Sequence, residues 1–535
     1  MSEIHVADLA DLAKGAMKEV STPVGKVLLS RIEDRVYATA ALCPHAKASL
    51  VKGTLSSDGR LMCPWHGACF HVASGDIEDG PAIDHLRSYK VSVRDDKVML
   101  VLEGNVSLIH ATGWLDVGTG FQLGFLGRIL MITSESYLPV ERPKIGKSLK
   151  IDAAKIALRD AAYFTERDIL VRLNTEAVSV DTGAKTVVVH NITSDQRECI
   201  SYNRLPRVPQ IPGHELRNVF TIRRVEDANA LDAALAAVSQ GQAALPRIVI
   251  IGSGFIGLEA AAVLAKKAKV EIVGRERIPL QKILGPRIGQ AIQKLHEQNG
   301  VVFHNDGQVA EIRPSGKFVL LLVAAGNSNP EVAGSVVLAD GRVLEAAIVI
   351  FGVGVVLSTQ FLEGSAIQVD ADGGIAVDKY LGVKGQEYVY AAGDIARYPY
   401  HLEGAAVRIE HWNVAMDQGR TVARNIYARM TGKSELQGFQ SVPYFWSTQY
   451  GKSLRYSGHC REGFDEVIIQ GSTDLNPDGS GLGFCAFYVK NSQVVAASSI
   501  ARDPVVSHFS ELLRLGKAPT PEQLRNGLEI TTVSI

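Results

Sequence analysis

Two short stretches, Cys43-Pro44-His45 and Cys63-Pro64-Trp65-His66, constrain this chain more than anything else in it. Each places a thiol and an imidazole in one tight turn, and 17 residues separate the two turns. Thiolates and neutral imidazoles are metal ligands, so the pair of turns reads as the two halves of one metal centre. A tetrahedral zinc accepts two Cys and two His, but a zinc finger ordinarily opens with two cysteines two to four residues apart, not with C-x-H. A two-iron, two-sulfur cluster with thiolates on one iron and imidazoles on the other accepts the set more naturally, because each turn supplies one ligand of each kind.

The rest of the chain is long enough to need several cores, since 535 residues exceed what a single domain buries. A hydrophobic content of 46% with 21% charged residues is that of ordinary soluble protein. A formal net charge of −1 gives no electrostatic case for nucleic acid or an anionic membrane as partner. Six cysteines in such a length do not form a disulfide framework, which makes a reducing compartment the default. The opening "MSEIHVADLADLAKGAMKEV" shows neither a signal core nor a transit pattern, so the expectation is a cytoplasmic protein, with mitochondrial as the alternative. The longest apolar run, "AAIVIFGVGVVL" (346–357), is too short to span a bilayer and reads as one buried strand of a parallel sheet. Cys69 reads as a small buried filler and His71 as a surface residue.

Residues 1–104 alternate in short segments such as "GKVLLSRI" and "RVYATAAL", separated by turns such as "SSDGR", as a small antiparallel β domain requires. From 105 onward apolar strands alternate with Ala-rich helices, the α/β signature of a parallel sheet. Short strands return near the C-terminus. The expected division is a metal-binding domain at 1–104, a first dinucleotide domain in two pieces (105–240 and 366–434), a second dinucleotide domain at 241–365 and an α+β C-terminal domain at 435–535.

Within 247–276 a strand leads into Gly252-x-Gly254-x-x-Gly257 and then a helix, the arrangement in which a pyrophosphate meets a helix N-terminus. The next strand ends at Gly274-Arg275-Glu276-Arg277. Glu276 suits the ribose hydroxyl of NADH and the arginines suit the phosphate of NADPH; both remain open. Further on, "EYVYAAGDIARYP" ends a strand at Gly393-Asp394, where an acid can bind flavin ribityl hydroxyls, and a helix expected from Asn413 can aim its N-terminus at a reduced flavin.

Over "CPHAKASLVKG" and "CPWHGACFHVASGDIEDGP" the chain resembles the Rieske family, across roughly residues 4–104. That resemblance implies a [2Fe–2S] cluster on Cys43, His45, Cys63 and His66, with Lys47 standing where the family usually has glycine. Over most of its length the chain also resembles FAD-dependent pyridine-nucleotide oxidoreductases. The nearest subgroup is the apoptosis-inducing-factor-like proteins with an N-terminal Rieske domain, relatives of the ferredoxin reductases of oxygenase systems. "YLPVERPKIGKSL" (137–149) and "VPYFWSTQYGKSLRYSGH" carry much of this likeness. It implies flavin-side positions for Arg142, Lys147, Asp394, Glu410, His411 and Trp412, and a Lys147–Glu259 pair near the reactive edge of the ring. Tyr444, Phe445 and Trp446 read either as flavin-facing or as domain-interface packing. No C-x₄-C pair follows the first dinucleotide region, so dithiol chemistry is set aside.

Two pieces of the family pattern are missing. No G-x-G-x-x-G occurs within 105–139, and "SYNRLPRVPQIPGHEL" (201–216) lacks the usual strand and Ala-Thr-Gly turn. Intact flanks on both sides point to lost stretches around 110–123 and 204–206 rather than to gradual drift. The reading is an oxidoreductase that passes electrons from NAD(P)H through FAD to the cluster, leaving at the exposed imidazole edges for an external acceptor such as a redox protein. The alternative is a non-enzymatic, redox-responsive protein binding NAD(H) and the cluster with FAD binding impaired. A homodimer is compatible with either. A Rieske oxygenase is set aside because no His/His/carboxylate set for a mononuclear iron is present.

Overall fold

The computed structural model describes residues 2–102, 129–184, 186–194, 196–198, 205–206, 210–318, 331–432, 435–460 and 463–535. Of the two stretches of missing pattern, 110–123 lies outside the described residues, as does 204, while Leu205–Pro206 forms a short strand pairing antiparallel with Val355–Val356.

The N-terminal part is antiparallel throughout. Strands Met17–Thr22, Gly25–Ile32, Arg35–Ala40 and Ser88–Tyr89 form one sheet. Thr54–Leu55, Arg60–Met62, Cys69–His71 and Ile77–Asp79 form a second. A third contains Ser2–Asp8 and the hairpin Val91–Arg94/Lys97–Leu102, whose turn residues Asp95 and Asp96 both take positive φ, as a tight two-residue hairpin demands. Cys69 is fully buried, while His71 is only half-buried.

The centre of the molecule is a five-stranded parallel sheet in the order Val219–Thr221, Ile348–Phe351, Arg247–Ile251, Lys269–Val273, Val302–His304. Its core, including Ile248, Ile250, Ile272, Ile348 and Ile350, is continuous with apolar residues of the C-terminal sheet. The run 346–357 is not one strand. It pairs in the sheet only over Ile348–Phe351, breaks at Gly352 and resumes as the short strand Val355–Val356. The break is forced by contact: a Cβ on Gly252 would stand 2.4 Å from the Gly352 carbonyl oxygen, so the strand ends where the glycine turn needs that space.

The remaining elements include the parallel pair Ile129–Ile132/Ile169–Arg172, the helix Trp412–Thr431 and a C-terminal five-stranded antiparallel sheet. That sheet runs in the order Tyr444–Gln449, Lys452–Gly458, Gln493–Ile500, Gly483–Lys490, Glu466–Ser472. Among the described residues no helix is long and apolar enough to cross a membrane.

The N-terminal part is docked onto the other two. Arg159 donates to the Ile83 carbonyl (2.8 Å) and to Asp84 (2.7 Å). Arg420 donates to the Ala82 carbonyl (2.8 Å), and Asp417 accepts from Gly80 N (2.7 Å). Arg60, itself in the N-terminal part, reaches the buried Glu511 at 3.2 Å.

Candidate functional site

The two Cys/His turns are built alike. The amide of Cys43 donates to the Ala48 carbonyl and that of Lys47 to the Cys43 carbonyl; the amide of Cys63 donates to Ala68 and that of Gly67 to Cys63. Each turn closes through a left-handed residue, Gly67 at φ +75° and Lys47 at φ +59°. The thiols of Cys43 and Cys63 are buried and lie against each other. That contact and burial push the Cys43 thiol up, while the same contact holds Cys63 down. The imidazoles also meet, with Nδ1 of His45 and Nδ1 of His66 3.1 Å apart. Two nitrogens on one tetrahedral metal stand roughly 3.4 Å apart for ordinary metal–imidazole bonds. Burial, followed by the neighbouring His45, pushes His66 down to about 3, which keeps it a neutral donor.

The four groups form two pairs, thiol with thiol and imidazole with imidazole. Among the described residues no three His, Cys, Asp or Glu side chains converge on a single ion position. Two separate pairs fit a two-iron cluster and do not fit a mononuclear zinc.

The imidazoles are half-buried rather than presenting the exposed edges expected for the exit. The His45 side chain is 10% exposed, with its Nε2 3.2 Å from Glu141. Burial would raise the Glu141 carboxyl, but hydrogen bonds from His45 and Lys144 hold it down at about 2. The Trp446 ring lies 4.3 Å from the His66 ring and 6.0 Å from that of His45. The docked neighbour is the reason: Asn413 donates to the His66 carbonyl (3.0 Å) and Arg455 to the Trp65 carbonyl (3.1 Å). Trp65 itself remains 41% exposed, its ring edge-on to His66 at 6.3 Å.

Strand alternation sorts the aromatic triplet. Tyr444 and Trp446 face the Cys/His turns, Tyr444 covering Gly67 so closely that a Cβ there would stand 2.7 Å from its ring. Phe445 points the other way, onto Phe255 and His411, each at 4.9 Å. Lys147 Nζ sits 5.7 Å from the Trp446 ring centre and 3.6 Å from Glu259, which also accepts from Ser447 at 2.8 Å. Burial pushes the Glu259 carboxyl up, although Lys147 opposes it. The structure thus brings Lys147 and Glu259 together, with Trp446 between Lys147 and the imidazoles.

The other expected flavin-side residues lie nearby in chain order. Gly393, at φ +74°, donates its amide to Gln418 at 2.7 Å, and Arg408 donates to the Asp394 carbonyl and to Glu410. His411 precedes the helix Trp412–Thr431, one residue earlier than the expected start at Asn413; burial pushes it down to about 3 and leaves its Nδ1 without a partner. Arg142 pairs with Glu135 at 2.6 Å. Beside it stands Arg223, which sequence reasoning missed. Burial and the neighbouring Arg142 push Arg223 down to about 10, and its buried Nε has no partner. Two adjacent arginines with an unsatisfied donor fit an anionic group such as a dinucleotide pyrophosphate.

The glycine turn is fully formed. Gly252 takes φ +115°, and a Cβ on Gly257 would stand 2.1 Å from the Gly252 carbonyl oxygen. A Cβ on Gly254 would meet nothing nearer than 4.0 Å, so that position faces open space at the helix N-terminus. The adjoining cavity, about 290 Å³, is lined by Gly252, Ser253, Gly254, Arg275 and Glu276 among others. Glu276 pairs with Lys282 at 3.4 Å.

Comparison with known proteins agrees with this geometry. Residues 2–90 match the Rieske [2Fe-2S] domain, 122–419 the pyridine nucleotide-disulphide oxidoreductase family and 444–528 the reductase C-terminal domain. The chain is 35% identical to apoptosis-inducing factor 3 of Homo sapiens over 96% of its own length and 84% of that protein. It is 29% identical to rhodocoxin reductase of Rhodococcus erythropolis, over 75% of this chain and 86% of the relative. A ferredoxin reductase from Rhodopseudomonas palustris superposes with a TM-score of 0.65 at 26% identity, covering 78% of this chain and 96% of that structure.

Proposed function

Since the chain belongs to the pyridine nucleotide-disulphide oxidoreductase family and carries a Rieske domain ahead of it, we propose that it passes electrons from NAD(P)H to its own cluster. Its cofactors are a [2Fe–2S] cluster, FAD and NAD(P)H. The observation that carries the reading is the order of contacts Glu259–Lys147–Trp446–His66, which joins the reductase part to the cluster turns.

Cys43, His45, Cys63 and His66 hold the cluster, and Gly252, Gly254 and Gly257 receive the nicotinamide dinucleotide with Glu276 at its ribose. Arg142, Arg223, Gly393, Asp394, Glu410, His411 and Trp412 would hold the flavin. When bound, FAD would supply the conversion of a hydride into single electrons, and a [2Fe–2S] cluster would supply a one-electron acceptor. Glu259 holds Lys147 in place, and Ser447 fixes Glu259. Trp446 excludes water between Lys147 and the imidazoles. The working domain division is the one given above, and the onward acceptor is a one-electron redox protein. The relative named rhodocoxin reductase and the structure named a ferredoxin reductase support that class of acceptor.

The test is an anaerobic absorbance spectrum of the purified protein with iron, sulfide and flavin quantified, followed by NADH addition. Flavin and Rieske bands that both bleach with NADH support the reading. A Rieske spectrum without flavin, and no NADH-driven dye reduction, overturns it in favour of a cluster- and nucleotide-binding protein.

A further inference from the structure

The far ring nitrogen of His45 meets a partner that no spacing in the sequence announces. Glu141 lies in the reductase part, yet its Oε1 is 3.2 Å from His45 Nε2. The contact is built rather than incidental. The Glu141 side chain is only 17% exposed, Lys144 Nζ holds its other oxygen at 2.6 Å, and its amide donates to the Ile156 carbonyl. The same segment continues directly into Arg142–Lys147, so one short piece of backbone presents Lys147 to Glu259 and Glu141 to the cluster turn. Among the described residues no carboxylate bonds His66, whose ring instead lies against Trp446.

Because Nδ1 of His45 faces Nδ1 of His66, Nδ1 is the nitrogen directed at the metal, and Nε2 carries the ring proton. It donates that proton to Glu141. A carboxylate behind a ligating imidazole fixes the tautomer, orients the ring and raises the basicity of the metal-bound nitrogen. Greater donation to iron favours the oxidised cluster.

We propose that Glu141 is a positioning residue for the cluster ligand His45, lent by the reductase part of the chain, and that it lowers the reduction potential of the cluster. This rests on the electron-transfer reading above. The two histidine ligands are then unequal: one is backed by a carboxylate and the other by an indole.

The test uses the full-length, cluster-loaded protein at one fixed pH. The midpoint potential is read from the visible bands of the cluster, and the nitrogen hyperfine couplings from the reduced state. Glu141→Gln keeps the shape and removes the charge. Its expected result is a midpoint raised by about 59 mV, tenfold in the one-electron equilibrium, with the coupling of one imidazole changed and the other not. Glu141→Ala shifts the midpoint in the same direction. An unchanged midpoint in Glu141→Gln with full iron and sulfide content overturns the proposal, as does loss of the cluster from both variants, which would make Glu141 a structural anchor. A wild-type protein with no Rieske spectrum overturns the electron-transfer reading and this proposal together. A wild-type spectrum with an unshifted variant overturns this proposal alone.

Discussion

Lys47 occupies a backbone conformation that its counterpart Gly67 takes without penalty. A non-glycine residue in the left-handed region costs about 1–2 kcal/mol. Lys47→Gly is therefore expected to raise stability by about 1 kcal/mol, read as a shift in the denaturant midpoint at unchanged cluster content. The two Cys/His turns were legible in the sequence because each thiol lies within three residues of its imidazole, and the fold brings the two imidazoles and the two thiols together. Glu141 and Arg223 were not legible. Neither has a local pattern, and each gains its role from a partner reached only after folding: His45 is 96 positions away from Glu141, and Arg142 stands beside Arg223 across a turn of the fold. The exposed imidazole exit was misjudged for the same reason, since the groups that cover His45 and His66 come from distant segments.

The helix Phe255–Leu264 owes its place to the glycines before it, and their roles differ. Gly257→Ala drives a methyl into the Gly252 carbonyl and is expected to disrupt the turn itself. Gly254→Ala leaves the protein contacts untouched and is expected to weaken NADH binding roughly tenfold, about 1.4 kcal/mol, by blocking approach of the pyrophosphate. Titration by fluorescence quenching with matched circular dichroism separates the two cases. This element was readable from sequence because strand, glycines and helix are contiguous. The neighbouring run at 346–357 was misread as one strand because hydrophobicity reports burial and not the space that Gly252 requires.

A second element carries a pH dependence. The helix Pro286–Glu297 buries His296 against Gln449 (2.8 Å) and Tyr450 (3.1 Å), and burial pushes it down to about 4. The unfolded chain takes up the proton near the ordinary value of 6.5 while the folded chain refuses it. The stability from a neutral His296 is thus present above pH 6.5 and lost as pH falls towards 4. Between pH 7 and 4.5 the loss is roughly 2 kcal/mol. His296→Gln is expected to flatten that part of the stability profile, measured by thermal unfolding at a series of pH values.

At the scale of the molecule, the interface between the cluster turns and the C-terminal sheet matters more than either part alone. Trp446→Ala empties the space between Lys147 and His66. On the proposed reading it slows NADH-driven cluster bleaching roughly tenfold or more, at least 1.4 kcal/mol on the barrier, while NADH-driven dye reduction is retained. Stopped-flow absorbance reads both rates, and equal slowing of the two would remove Trp446 from the path between them. The domain order was legible from composition shifts along the chain. The docking was not, because its contacts, Arg159 to Asp84, Arg60 to Glu511 and Asn413 to the His66 carbonyl, join residues that carry no mutual pattern.

If the reductase part is the donor and the Rieske part the first acceptor, as proposed, their covalent join also fixes their stoichiometry. Every translated chain contains one of each, so no imbalance of expression leaves one partner in excess. Two separate proteins at micromolar levels depend on collision, and their exchange slows with dilution and with added salt. Parts tethered on one chain face each other at effective concentrations of order millimolar or above. On the proposed reading the first transfer accordingly keeps its rate on dilution, and ionic strength acts mainly on the step that follows.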